Sequence, residues 1–436
     1  MSAAANTSSR PGRRSQAGAA TLVVVMVLFF VMAMMAAFAN RNLVFEQRIA
    51  SNYFRSSLAF ETAEAGAEWA IAALNGGRVD AACLPSSANG DGTLRQRVMN
   101  IADNRIISRV MFLDASNNQQ PISFGCVRSA ANGWVCACPA GAALVPPAVA
   151  PSTQLQPMFA VTLPRTQAYI RPGVVRMTVT GCTDLTTLCA NTATAATQSL
   201  GQADILLELA LVSALKMPPA TPLTVRGATN LGAPGLGLHN ADVAAGALLL
   251  RGGGVVSGSL DRSDSVPGTP VEQAMLSEDQ SLNVPAATMF TMFFGMPVAQ
   301  YRDQPSVRII NCQADCSNQL TAAYQNGFRQ LWIEGNLSIG TNIVLGTAAD
   351  PVLIISNGAL QLVGPMLITG VLYARGNASW TNGSGQPALL TGALLSEGDL
   401  SATGTADISY HSGVIHELNA RTGSFVRVPG SWMDTQ

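Results

Sequence analysis

The chain has 436 residues, a length that accommodates two or three domains of about 150 residues each. Its 25 Lys and Arg residues balance 26 Asp and Glu residues, so it lacks the basic excess of nucleic-acid-binding proteins. Charged residues make up only 12% of the chain, about half of the ~25% usual for soluble proteins, and hydrophobic residues reach 48%. This composition excludes a charged, disordered polymer, and we expect no nucleic-acid partner.

Eight cysteines and only three histidines indicate the compartment. An even number of cysteines in close groups favours disulfides in an exported domain. A metal site is the alternative, but a zinc site of mixed ligands usually has histidines near its cysteine pairs. The disulfide candidates are Cys83, Cys126, Cys136, Cys138, Cys182, Cys189, Cys312 and Cys316.

The N-terminus combines a short basic segment with a long apolar run. Residues 1–18 contain three arginines and no acid, and the 21 residues from Ala19 to Ala39 contain no charge. A helix of that length covers about 31 Å, which is one hydrocarbon core. The arginines should stay cytoplasmic, so the rest of the chain should lie outside. A cleaved secretory signal ending near Ala37 and Ala39 is the alternative, but its apolar core would be only ~7–15 residues.

The helical pattern continues beyond the apolar run. Residues 40–74 contain no proline and a single glycine, Gly66, and Asn75-Gly76-Gly77 supplies a stop signal. The sequence therefore predicts one helix from Ala19 to Leu74, about 84 Å long at 1.5 Å per residue. Its predicted apolar stripe consists of Leu43, Ile49, Tyr53 or Phe54, Leu58, Ala65, Trp69 and Ala72.

At this point the sequence resembles the PilX-type minor pilins of type IV pili. The resemblance covers about residues 10–75: a basic leader ending at Gly18, an apolar helix from Ala19, then an acid at Glu46 and an Ala-Phe-Glu-Thr-Ala-Glu-Ala run at 59–65. It implies that a prepilin peptidase cleaves after Gly18 and methylates Ala19, and that the helix binds inner-membrane lipid and later other pilins. Candidate helix-interface residues are Glu46, Arg55, Phe60 and Glu64.

Two positions depart from the family pattern. Most major pilins begin with Phe and carry Glu at the fifth mature position, where it neutralises the amine of a neighbouring subunit; this chain has Ala19 and Val23. A buried amine without a partner is unfavourable. The departure therefore favours a filament tip or a low-copy role over an ordinary repeating subunit.

Three glutamates mark the second half of the helix. Glu61, Glu64 and Glu68 are three and four residues apart, so they share one side. They form either a solvated face or a row that pairs with arginines of neighbouring subunits.

Residues 79–219 change to a β pattern that we interpret as a disulfide-containing head. Residues 171–181 and 203–215 are rich in β-branched and apolar residues and predict two strands, with Cys182 and Cys189 closing the loop between them. Cys136 and Cys138 should bond to different partners, for which Cys83 and Cys126 are the candidates in either pairing.

Residues 220–436 form a third, glycine-rich region. Six short apolar segments end in Gly or Asn, beginning near Leu223, Ala247, Leu331, Val352, Met366 and Ala388. They are typical of a β-solenoid, with a β-sandwich as the alternative. Two short helices are expected within an insertion near 284–330, over 289–294 and 319–330, and the Met/Phe cluster of the first is expected in the core.

Enzyme chemistry finds little support in the sequence. The acidic residues of the third region are scattered, His411 and His416 have no nucleophile elbow, and Gly252-Gly253-Gly254 lacks a following Lys-Ser/Thr. We expect no enzyme activity, cofactor or metal.

The sequence predicts an α+β protein with leader 1–18, pilin helix 19–78, head 79–219 and solenoid-like domain 220–436. Its expected role is that of a membrane-anchored minor pilin in pilus assembly. The alternative is a pilin-anchored adhesin whose β-solenoid binds surface glycans.

Mass spectrometry of the mature N-terminus tests the cleavage site. We expect the chain to begin at methylated Ala19, as the resemblance to minor pilins implies. A chain that begins near Phe38 or Asn40 would instead identify a secretory signal.

Overall fold

The computed structural model describes residues 17–150, 155–163, 171–183, 201–312, 314–340 and 342–435. The chain divides into two compact units, one that ends at Ser57 and one that begins at Leu58. Helix α1 (Ala17–Leu74) contributes to both. The predicted long helix is confirmed, and it begins two residues earlier than Ala19.

The second unit contains five further α-helices within the described residues. Thr93 and Gln96 form a capping box at the start of the first of them. Gly295, with a φ of 73°, ends the helix that contains the Met/Phe cluster. The five are α2 (Leu94–Val98), α3 (Ala286–Phe294), α4 (Val298–Arg302), α5 (Ser317–Gln325) and α6 (Ser412–Ala420).

The strands fall into three groups along the chain. The first group comprises β1 (Met99–Ile101), β2 (Ile107–Arg109), β3 (Met111–Leu113), β4 (Gln119–Pro121), β5 (Phe124–Ser129), β6 (Gly133–Ala137), β7 (Met158–Thr162), β8 (Val174–Cys182) and β9 (Gln202–Ser213). The second comprises β10 (Leu223–Val225), β11 (Thr229–Asn230), β12 (Gly237–His239), β13 (Leu250–Gly252), β14 (Val256–Ser257), β15 (Met275–Leu276), β16 (Val307–Ile310), β17 (Gln330–Ile333), β18 (Leu337–Ile339), β19 (Val344–Leu345), β20 (Val352–Ser356), β21 (Leu360–Val363), β22 (Met366–Ala374), β23 (Ala378–Asn382), β24 (Ala388–Ser396), β25 (Leu400–Gly404) and β26 (Asp407–Ser409). The third comprises β27 (Gly423–Arg427) and β28 (Met433–Thr435). The predicted mostly-β region is therefore confirmed.

An antiparallel sheet packs against the second half of α1. Its strand order is β27-β9-β8-β7-β5-β6, and β28 also pairs with β9. Buried residues alternate with half-exposed ones along β8 and β9, as expected for a sheet with one covered face. The two strands predicted over 171–181 and 203–215 are these two.

The face of α1 that packs on the sheet differs from the predicted stripe. Ala65 and Ala72 are exposed, and Trp69 is only half-buried. The buried face lies beside that stripe and consists mainly of small residues, namely Ala59, Thr62, Ala63, Gly66, Ala67, Ala70 and Leu74. The predicted stripe rests mainly on hydrophobicity, which favours large apolar side chains. The buried face is instead composed of small residues, because they allow the helix to approach the sheet closely.

Two glycines mark where helix and sheet approach most closely. A Cβ atom on Gly181 of β8 would overlap the backbone of Ala59 and Ala63. A Cβ atom on Gly66 would lie 2.7 Å from the ring of Phe159. The small residues therefore set the separation between α1 and the sheet.

The second group of strands builds two parallel sheets around one apolar core. The main path of the larger sheet runs β15-β13-β10-β24-β22-β20-β17-β16, and the smaller runs β14-β11-β25-β23-β21-β18. Each of the six predicted segments contains a strand of the larger sheet. The strands pair in parallel, whereas the strands of β-sandwiches are antiparallel. A solenoid remains our interpretation of these pairings.

The strands do not stack in chain order. From β10 the chain proceeds through β13 to β15 and then reaches β16 at the other edge of the larger sheet. It returns through β17, β20 and β22 to β24, which pairs with β10. The connection between the two edges of the larger sheet contains α3 and α4. The first strand of this region, β10, therefore lies in the middle of the sheet, beside β24.

Helix α3 covers the outer face of the larger sheet. The ring of Phe290 lies 5.4 Å from that of Tyr373 and 6.3 Å from that of Trp332. Met289, Phe290, Phe293 and Phe294 are core residues, as expected, whereas Met292 is only half-buried. Of the two predicted helices, 289–294 lies within α3, whereas 319–330 is partly wrong because α5 ends at Gln325 and β17 begins at Gln330.

The parallel sheets are inserted into the antiparallel one. Strands β9 and β27 are neighbours, with Ser213 opposite Gly423, although 209 residues separate these two in sequence. The C-terminal strands, which the sequence analysis placed with the third region, therefore belong to the sheet that packs on α1. Both ends of the parallel region connect to the same sheet.

Substitution of Gly181 tests the close approach. We expect Gly181→Ala to lower the free energy of unfolding by about 1–3 kcal/mol, because the added methyl overpacks the helix–sheet contact. Denaturant titration of the full chain in detergent, followed by Trp fluorescence, measures this. No atom lies within 4 Å of a Cβ on Gly383, so the control Gly383→Ala should change the value by no more than about 0.5 kcal/mol. Equal stabilities of the two variants would contradict the contact.

Candidate assembly helix

The first unit exposes a continuous apolar surface. From Ala19 to Ser57 every described side chain except Arg55 is exposed, with Phe29 at 72% and Phe30 at 67%. The mean hydropathy of the most apolar 18-residue window is 2.9. An exposed apolar surface of this size marks contact with lipid or another protein. By length and composition, α1 is a candidate membrane span.

The predicted processing residues lie in the first turn of α1. The helix begins at Ala17, so both Gly18 and Ala19 are helical. The rest of the leader, residues 1–16, lies outside the described part of the chain. The uncharged run from Ala19 to Ala39 is entirely helical, as its composition predicts.

The four candidate interface residues have different surroundings. Glu46 and Glu64 are exposed, and Arg55 is partly exposed. Phe60 is half-buried and packs against the core between α1 and the antiparallel sheet. Phe60 therefore stabilises its own chain, and the two glutamates remain accessible to a partner.

Only one of the three glutamates of the acidic row of α1, which comprises Glu61, Glu64 and Glu68, forms an ion pair among the described residues. Glu68 forms an ion pair with Arg427 of β27. No such pair involves Glu61 or Glu64 among the described residues, and both side chains are exposed. An exposed ion pair contributes little to stability, about 0–1 kcal/mol. The row therefore holds two acidic groups for which the structure offers no intramolecular role.

The C-terminal end of α1 is tied to β27 through Asn75. The Asn75 side chain donates from Nδ2 to the Phe425 carbonyl oxygen at 2.8 Å, and its Oδ1 accepts from the Phe425 amide at 2.8 Å. The same Nδ2 donates to the Ile71 carbonyl at 2.9 Å. The Asn-Gly-Gly stop signal predicts the helix end at Asn75 but not this link, because the partner lies 350 residues away in sequence.

Arg95 of α2 reinforces that end. Its Nε donates to the Leu74 carbonyl at 3.3 Å, and its Nη2 donates to the Gly423 carbonyl at 2.8 Å. A cation at the C-terminus of a helix is favourable, since the helix dipole is negative there. The sequence gives no signal for Arg95 beyond its position in a short helix.

Most of the cysteines form disulfides within the described residues. The structure pairs Cys83 with Cys138 and Cys126 with Cys136, the two separate partnerships that the spacing required. Cys312 pairs with Cys316. Cys182 is also disulfide-bonded, and Cys189 lies outside the described residues. A metal site is excluded for the paired cysteines, because a disulfide sulfur offers no thiolate.

Comparisons with known proteins concern mainly the N-terminus. The PilX N-terminal family model matches residues 17–68. Among solved structures, the competence-associated pilin ComZ from Thermus thermophilus matches with 10% identity over 87% of this chain and 97% of that chain. Its TM-score is 0.22, so the match adds nothing to the argument on the fold. A search of curated proteins gives no match.

The family match begins at the first residue of α1 and ends within the part that packs on the sheet. It covers Gly18, the apolar run, Glu46 and the Ala-Phe-Glu-Thr-Ala-Glu-Ala run at 59–65, whereas the basic part of the leader precedes it. Residues 17–68 of this chain are therefore similar to the PilX N-terminal domain.

Proposed function

We propose that the chain is a minor pilin-like subunit of a type IV pilus assembly system. A prepilin peptidase cleaves it after Gly18, and residues 19–39 anchor it in the inner membrane with the remainder in the periplasm. It acts in pilus biogenesis through contacts with other pilins. This role needs no enzyme activity and no cofactor.

The observation that carries the proposal is the difference in exposure between the two halves of α1. Up to Ser57 the helix exposes apolar side chains, and from Ala59 onward it buries a small-residue face against a sheet of its own chain. An exposed apolar helix is stable in lipid and is equally satisfied by neighbouring apolar helices. Transfer from lipid to a filament therefore exchanges one apolar environment for another.

A low-copy position fits the N-terminus best. Val23 offers no carboxylate to the amine of a neighbouring subunit, and burial of that amine among apolar helices would be unfavourable. We propose that the chain lies at the filament tip or is incorporated rarely. A copy number equal to that of the major pilin in sheared filaments would contradict this.

The acidic row supplies a polar contact beside the apolar one. Glu61 and Glu64 lie in the second half of α1, and the first half carries exposed Arg41 and Arg48. We propose that arginines of neighbouring pilin helices pair with these glutamates. Such ion pairs determine which partner helix binds and in which register, more than they increase the affinity.

Charge reversal at Glu64 tests this contact. We expect Glu64→Lys to reduce the amount of the chain in sheared filaments by roughly twofold to fivefold, since an exposed ion pair is worth about 0.2–1 kcal/mol. Quantitative immunoblotting of filament and membrane fractions measures it. Glu272→Lys, an exposed glutamate far along the chain, is the control and should leave incorporation unchanged. Equal incorporation of both variants would contradict the contact, and wild-type chain missing from filaments would contradict the assembly role itself.

A second candidate function is adhesion to glycans through the smaller parallel sheet. Gln361, Ser379 and Ser401 stand in register on adjacent strands and are at least partly exposed. Uncharged amide and hydroxyl groups in a row suit a neutral sugar polymer. Binding of the full chain to a glycan array tests this: we expect retention by neutral polysaccharides that survives high salt, and lack of retention would leave only the assembly role.

A further inference from the structure

A cavity of about 300 Å³ lies in the second unit beside the end of α1. Its walls come from the turn after α1, from α2, from β1, from the start of β17 and from the segment that leads into β27. All of these segments belong to the same compact unit. The cavity is therefore lined by the elements that connect the end of α1 to the rest of the second unit.

Three guanidinium groups and one carboxylate line this cavity. Arg329 forms a bidentate pair with Asp350, with N···O distances of 2.5 and 2.6 Å. Arg421 pairs with Asp103 and, at 2.8 Å, with Glu417. These two arginines are neutralised by carboxylates of the chain, so neither gives the cavity an unbalanced charge.

Arg95 differs from both. Within the described residues its guanidinium contacts two carbonyl oxygens, those of Leu74 and Gly423, and lies 4.7 Å from the centre of the Phe425 ring. No carboxylate in the described part of the chain pairs with it. Carbonyl oxygens and an aromatic face offset part of the cost of burial, but they leave the charge of Arg95 itself without a carboxylate partner among the described residues.

The environment of Arg95 favours an anion. Burial lowers the pKa of its guanidinium to about 10, so the group remains charged at neutral pH. The bonds to Leu74 and Gly423 use Nε and Nη2, and Nη1 makes no hydrogen bond to the described residues. A guanidinium edge with free N–H groups binds oxyanions with directed hydrogen bonds.

We propose that this cavity binds a small oxyanion, a phosphate or a carboxylate, through the Nη1 group of Arg95. The anion supplies the missing counter-charge without displacing the carbonyl partners of Arg95. Because Arg95 also caps α1 and contacts β27, the bound anion stabilises the junction between helix and sheet. Binding to the native state alone raises its stability according to ligand concentration.

Thermal unfolding of the full chain in detergent tests the site with inorganic phosphate and with succinate as probes. We expect each effective anion to raise the Tm of the wild-type chain saturably, beyond sodium chloride of equal ionic strength. The two arms distinguish a phosphate from a carboxylate as the preferred ligand. Absence of a saturable rise with both anions would overturn the proposal.

Substitution of Arg95 tests whether the anion-dependent rise in Tm arises at this residue. We expect Arg95→Gln to abolish the anion-dependent rise and Arg95→Lys to weaken the apparent affinity at least tenfold, because lysine cannot make the same directed contacts. The control Arg128→Gln removes an exposed arginine outside the cavity lining and should keep the wild-type response. A rise that persists in Arg95→Gln would overturn the assignment.

A direct binding measurement on the wild-type chain covers the case in which Arg95→Gln fails to fold. We expect the ³¹P resonance of phosphate to broaden in the presence of the wild-type chain and to sharpen again when excess succinate competes. A phosphate resonance that stays unchanged at protein concentrations near the ligand concentration would overturn phosphate binding. Neither experiment depends on pilus assembly, so the outcome is separate from that of the proposed function.

Discussion

The contact between the small-residue face of α1 and strand β8 constrains the whole second unit. Ala59 and Ala63 approach Gly181 so closely that no Cβ atom fits there. This contact sets the distance between α1 and the antiparallel sheet. Such a contact buries the helix on one side only. The exposed side keeps its glutamates, so one helical segment serves both as a core element and as an accessible surface.

The antiparallel sheet on α1 also accommodates the large insertion formed by the parallel sheets. Strands β9 and β27 are adjacent in the sheet, and Asn75 at the end of α1 hydrogen-bonds to the backbone of Phe425 in β27. The C-terminal strand therefore returns to the helix after the parallel sheets are complete. Both ends of the insertion connect to neighbouring strands of the sheet that packs on α1.

The sequence predicted elements whose determinants are local and missed arrangements that depend on distant residues. Helix α1 follows from a proline-free run that ends at Asn75, and the parallel strands follow from apolar runs that end in Gly or Asn. The pairing of β10 with β24 joins segments about 170 residues apart and has no local pattern. No local pattern distinguishes Arg95 from other residues of a short helix, because one of its partners, Gly423, lies 328 residues away in sequence.

Amide hydrogen exchange along α1 in the full chain in detergent tests the central claim most directly. If the small-residue face is fixed on the sheet, the amides of residues 58–74 will exchange as slowly as those of β8 and β9, under conditions in which the loop at 84–92 exchanges rapidly. Exchange of residues 58–74 at the rate of that loop would contradict the account, because it would mean that α1 is not held by its own sheet.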